Sequence, residues 1–272
     1  MRHNRLTSAF SMLELIFVIV ILGIVASIGA ELIAKVYESY IVQRAEHRAT
    51  LKTELAATQI ANRLASAIPG TVYRVRTTYP TNPYEPIDSD LQVDGDLYKG
   101  LKWVGADMDS FSATQIPGWS GFVDLDDPAN TENLLSTPGS NLNSTTAIIN
   151  NLSSSSPEIK IYFPYDSTEY NATIAGTTIS PTGAGVSHIV EHYKLAWSSY
   201  ALVVENGDLY LYYDFPAIPT AAFTGQKKSL LMKNISTFKF KGAGRTIRFK
   251  VCKEERISED VNITACKEKA VF

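Results

Sequence analysis

Apolar residues are concentrated at one end of the chain and alternate with polar ones over most of the rest. From Leu15 to Ala30 no position is charged, and only Leu, Ile, Val, Phe, Ala, Gly and Ser occur. One carboxylate, Glu14, borders this run on its N-terminal side. From Glu31 to Ile68 the apolar and small positions recur at helical spacing: Ile33, Tyr37, Tyr40 and Ile41, then Leu51 and Leu55, then Ala57, Ile60, Ala61, Leu64 and Ile68. The charges Arg44, Glu46, Arg48, Lys52, Glu54 and Arg63 mostly take the other faces, and Pro69-Gly70 stops the pattern. The pattern predicts one helical rod from Phe10 onward, ~90 Å long at 1.5 Å per residue. A rod of that length exceeds what one small domain can cover. Its first half is expected against lipid or other chains, and its second half against its own head.

Beyond residue 70 the period changes to that of strands. Thr71–Thr78, Leu97–Val104, Ile159–Phe163 and Val186–Trp197 read as strands. Tyr200–Glu205 and Asp208–Tyr213 flank Asn206-Gly207, the strongest short hairpin signal. Ser236–Lys241 and Thr246–Cys252, around Gly242-Ala243-Gly244, form a second hairpin. Residues 131–157, rich in Ser, Thr and Asn, read as a long surface excursion with a short helix at most and little core. A long helix followed by many strands gives an α+β class: a long N-terminal helix, transmembrane in its first half, packed on a mainly antiparallel β-sheet head.

Composition adds a compartment and a charge distribution. Arg2 and Arg5 precede the apolar run, which places the N-terminus in the cytoplasm and the head outside. Residues 80–226 carry four Lys or Arg against eighteen Asp or Glu, whereas residues 227–272 carry twelve against five. Such sectors are satisfied internally or by neighbours. A cleaved signal peptide, with Ala26 to Ala30 as a loose small-residue cleavage site, and a plain signal anchor both compete for the apolar run. Neither explains a carboxylate at its edge, because a charge facing lipid is costly.

The stretch Ala9-Phe10-Ser11-Met12-Leu13-Glu14-Leu15 resembles the N-terminal motif of type IV prepilins and type II secretion pseudopilins. The resemblance implies cleavage between Ala9 and Phe10 by a prepilin peptidase on the cytoplasmic side, then N-methylation of Phe10. Ala9 stands where the family usually has Gly. The implied domains are a cleaved leader (1–9), a transmembrane and assembly helix (10–69) and a periplasmic β-rich head (70–272). The new amine of Phe10 would meet the Glu14 carboxylate of a neighbouring subunit, a charge-assisted contact in a low-dielectric core. Implied partners are other pilin or pseudopilin subunits, the peptidase, an inner-membrane assembly platform and membrane lipid. Leu230 to Phe238 with its paired strand resembles, more loosely, the large minor pseudopilins of the J class and the W-type minor pilins. Cys252 and Cys266 are the only cysteines, and outside the cytoplasm a disulfide is their default state. The family often carries one near its C-terminus.

Other chemistry is sparse. His188-Ile189-Val190-Glu191-His192 matches a zinc-peptidase pattern, yet its run reads as strand, which sets the two imidazoles ~13 Å apart, too far for one metal. Asp124, Asp126, Asp127, Asn130 and Glu132 form an oxygen-rich stretch, a weak Ca²⁺ candidate that lacks the EF-hand Gly and terminal Glu. Asn171 and Asn262 both sit in N-x-[ST] triplets with an acid two positions earlier, which resembles the extended acceptor sequence of some bacterial N-glycosylation systems. In the second hairpin Phe240 is expected opposite Ile247 and Phe238 opposite Phe249. That arrangement sets Lys239 against Arg248, with Lys241 and Lys250 nearby, as a basic contact face. A solvated face, the acidic sector of the same head, a neighbouring subunit and a polyanion such as DNA are the alternatives for it. No G-x-S-x-G elbow, P-loop or CxxC is present. The expectation is a non-enzymatic structural subunit without cofactor, single-pass in a bacterial inner membrane or in an extracellular pilus tip. A membrane-tethered binding protein, an adhesin or a DNA-uptake receptor, is the alternative.

Overall fold

The computed structural model describes residues 11–77, 84–88, 97–112, 116–164, 166, 168–183, 185–258 and 261–272. It opens with α1 (Met12–Ala65), a single helix of 54 residues. Ser11 caps it: the Ser11 hydroxyl accepts a hydrogen bond from the Glu14 backbone N–H at 3.3 Å. Ser66 closes the other end, where its N–H donates to the carbonyls of Arg63 and Leu64. The helix therefore stops at Ala65, three residues before the expected end at Ile68 and ahead of Pro69-Gly70.

Among the described residues there follow β1 (Tyr73–Arg76), β2 (Tyr84–Pro86), β3 (Tyr98–Gly105), α2 (Met108–Phe111), β4 (Leu135–Ser136), α3 (Leu142–Leu152), β5 (Ile159–Tyr162), β6 (Tyr170–Ala175), β7 (Thr178–Thr182), β8 (Lys194–Ala196), β9 (Ser198–Glu205), β10 (Asp208–Phe215) and β11 (Lys227–Met232). Then follow β12 (Ile235–Ala243), β13 (Thr246–Arg256) and β14 (Asn262–Val271). A six-stranded sheet runs β11-β10-β9-β3-β1-β2, a three-stranded sheet β12-β13-β14 and a five-stranded sheet β4-β7-β6-β5-β8. Every pairing between these strands is antiparallel. The class is α+β, as the change of period predicts.

The second half of α1 is the spine of the main core. Ala49, Thr53, Ala56, Ala57, Ile60 and Leu64 form its buried stripe. The small residues let strands approach the helix closely, and the Thr53 hydroxyl is satisfied by the Ala49 carbonyl at 2.8 Å. Against this stripe pack Leu101, Trp103 and Leu202 of the six-stranded sheet and Phe249 and Val251 of the three-stranded one. Each such large side chain, fully buried, stabilises the fold by about 1.5–3 kcal/mol. A second core gathers Trp119, Leu135, Leu142, Ile161, Ile179 and Leu195 around the five-stranded sheet.

Three local expectations are corrected. Val186–Trp197 is a strand only at Lys194–Ala196. Its earlier part is a loop held by single bonds, Val123 N–H to Glu191 carbonyl and Tyr193 N–H to Gly121 carbonyl, with no continuous ladder. Residues 131–157 do carry core: Leu135 and Leu142 are fully buried and Ile149 nearly so. Finally, Ala243 pairs with Thr246, so the β12–β13 turn is the two residues Gly244-Arg245, with Gly244 at φ +59° as a type II′ turn needs. Phe240 thus faces Phe249, Phe238 faces Val251, and Gly242 faces Ile247. The register moves by two residues, which keeps every side chain on its expected face.

Candidate functional site: the N-terminal helix and the head surfaces

The first half of α1 has no side chain buried by the head: from Met12 to Arg48 none is buried, and Ala49 is the first that is. Leu13, Ile16, Phe17, Ile19 and Leu22 each expose more than 60% of their surface. This segment is long and apolar enough to cross a membrane once. Glu14 lies in its first turn, where the positive end of the helix dipole favours a carboxylate. Gly23 and Gly29 leave open space at their Cα atoms, with no atom of the chain within 4 Å of an added Cβ. Ala9 and Phe10, the expected processing residues, lie outside the described residues.

The head is joined to α1 by charge as well as by packing. Lys267 and Lys269 of β14 reach the Glu54 carboxylate at 2.6 and 3.0 Å. On the opposite face of the three-stranded sheet, Cys252 and Cys266 stand directly across from each other and are disulfide-bonded. Next to them run two basic rows. Lys239 faces Lys250, and Lys241 faces Arg248. Among the described residues no carboxylate lies within 4 Å of any of the four. Glu268 is registered beside Lys250, an acid the hairpin pattern alone did not place there.

The oxygen-rich stretch folds on itself. Asp124 accepts from the Asp126 N–H at 3.2 Å, Asp127 from the Ala129 N–H at 2.9 Å, and Asn130 from the Ser136 N–H at 2.6 Å. The Ala129 N–H, and after it the Ser136 side chain, hold the Asp127 carboxyl below its ordinary range. The side chains are spent on turns. No group of three or more His, Cys, Asp or Glu suited to a metal occurs among the described residues. His188 contacts the Ser187 hydroxyl at 3.3 Å, and the His192 ring packs at 4.6 Å on Phe122. Both histidines sit in the loop before β8, neither on a helix nor in a strand.

Two features escape the sequence pattern. A cleft of about 1060 Å³ lies between α1 and the six-stranded sheet, bordered by Arg63, Trp103, Met108, Tyr200, Tyr213 and Leu231. Trp103 stacks on Tyr200 at 6.0 Å, and the Arg63 guanidinium lies 5.4 Å from the Tyr200 ring. The second feature is Lys102, a fully buried lysine in β3. Its place in the run Leu97–Val104 is a weak signal, since Lys99 of the same inner strand stays half-exposed. No protein family matches the chain, and neither curated proteins nor solved structures yield a significant match.

Proposed function

We propose that the chain is a structural subunit of the pilin or pseudopilin type, processed between Ala9 and Phe10 and built into a filament through α1. The observation that carries this reading is the exposed first half of α1: an apolar rod that the head leaves bare, with one carboxylate in its opening turn. A plain membrane tether needs the apolar surface but not Glu14. A subunit stack uses both, because Glu14 there pairs with the freed amine of the next copy while the apolar faces pack together. In the membrane this pairing favours association over solitary residence, since neither charge is stable alone in lipid. The head then sits in the periplasm or at a filament tip, where it caps the filament, primes its growth or contacts cargo. The bacterial inner membrane is the site of insertion, with the N-terminus cytoplasmic.

The deciding experiment is Glu14→Ala in the native host. Subunit function requires that the variant insert and be processed yet fail to enter cross-linkable multimers. A tether tolerates the change, and multimers at the parental level would refute assembly through α1.

A further inference from the structure

Two segments of the chain carry the same acceptor pattern, and the fold treats them differently. Asn171-Ala172-Thr173 follows Glu169 at the minus-two position, and Asn262-Ile263-Thr264 follows Asp260. Asn171 lies in β6, the middle strand of the five-stranded sheet, with β7 on one side and β5 on the other. Its Oδ1 accepts a hydrogen bond from Nζ of Lys160, a lysine that is itself buried. Asn171 is itself exposed; for an enzyme to draw this amide out, the strand would have to leave both neighbours and give up that hydrogen bond, leaving the buried Lys160 ammonium with Glu158 alone, at 3.4 Å.

Asn262 opens β14, an edge strand with a partner on one side only. It follows a turn in which the N–H groups of Ile257 and Ser258 converge on the Val261 carbonyl at 2.9 and 3.3 Å. Asn262 and Thr264 are both exposed. They alternate with Ala265, Lys267 and Lys269, which turn toward α1, and so present their side chains to the outer face. Neither side chain has a hydrogen-bond partner among the described residues. Edge position and a strand end are where a sheet frays. The Cys252–Cys266 disulfide limits the opening to the residues before it. That same disulfide fits an oxidising compartment, and cell-surface and secretory compartments are where such amides are modified.

We propose that Asn262 is an acceptor for an N-linked glycan and that Asn171 is not, an inference that rests on the head lying outside the cytoplasm. The donor class is an oligosaccharide on a polyprenyl diphosphate. Nδ2 of Asn262 bonds to the anomeric carbon, the bond from that carbon to the diphosphate oxygen breaks, polyprenyl diphosphate leaves, and the amide gives up one proton. The glycan stands on the outer face of the three-stranded sheet, beside Glu254, which is registered opposite Thr264.

Intact mass and glycopeptide mapping of the full-length protein from its native host test this. One glycan is expected on the peptide that contains Asn262 and none on the peptide that contains Asn171. Asn262→Gln and Thr264→Ala each lower the intact mass by one glycan, whereas Asn171→Gln leaves the glycan in place. A native mass accounted for by polypeptide, disulfide and N-terminal processing alone overturns the proposal, and so does a glycan on Asn171. Mapping the native chain decides the matter even where a variant fails to accumulate. The N-terminal peptide of the same digest reports processing separately, so loss of this inference and loss of the subunit reading are distinguishable.

Discussion

The amine of Lys102 donates to the Ile218 carbonyl at 3.0 Å from a side chain that solvent does not reach. It also donates to the Pro219 carbonyl and lies 4.8 Å from the ring of Tyr84. No carboxylate lies within 4 Å of it among the described residues, and desolvation lowers its pKa to about 7. The unfolded lysine keeps its ordinary, higher value. Between the two, the unfolded chain holds a proton that the folded chain has shed, so stability rises with pH. The slope reaches at most about 1.4 kcal/mol per pH unit. Below about 7 both states are charged, and the cost of burying the ammonium is present in full. Denaturation at pH 7 and pH 9 should show the parent protein gaining stability and Lys102→Met losing that gain.

The disulfide closes a loop between residues 14 apart in the chain. In the chain-entropy model a loop of that size contributes about 3 kcal/mol. Cys252→Ala with Cys266→Ala should lower the denaturation midpoint accordingly, and reducing agent should affect the parent but not the double variant.

Lys241 and Arg248 oppose each other across β12 and β13, which is unfavourable for the isolated sheet. Arg248→Glu converts the pair to opposite charges and should stabilise the head by roughly 0.2–1 kcal/mol. Adding Lys241→Glu restores like charges and should cancel most of that gain. A double-mutant cycle by chemical denaturation reads the coupling directly.

Gly100 is held by close backbone approach. A Cβ added there would lie 2.1 Å from the Leu202 carbonyl oxygen, across the β3–β9 ladder at the centre of the six-stranded sheet. Gly100→Ala must push two strands apart and should cost on the order of 1–3 kcal/mol. Gly70→Ala, by contrast, meets no neighbour and pays only for its φ of +82°.

What the chain shows openly is what depends on local pattern. The rod, its buried stripe from Ala57 to Leu64 and the Asn206-Gly207 turn, with φ of +52° and +81°, all follow from spacing and turn chemistry. What stays hidden depends on distant segments. Leu142, Thr145 and Ile149 do keep helical spacing, but Ser, Thr and Asn around them mask it. The β12–β13 register turns on which of two glycines makes the bend, and the run Gly242-Ala243-Gly244 does not mark Gly244 as the one in a type II′ turn. His188 to His192 lack strand structure because Gly121 to Val123 supply only isolated partners. Lys102 is legible as a lysine in a strand, but its carbonyl partners arrive from residues more than a hundred positions away.

The central claim is that Glu14 borders the apolar span in order to meet a freed amine at Phe10 of an adjoining copy. Mass spectrometry of the N-terminal peptide of the native protein tests it most directly. The account predicts a chain that starts at Phe10 and carries one methyl group on its amine. A start at Met1, or a start beyond Ala30, would contradict it.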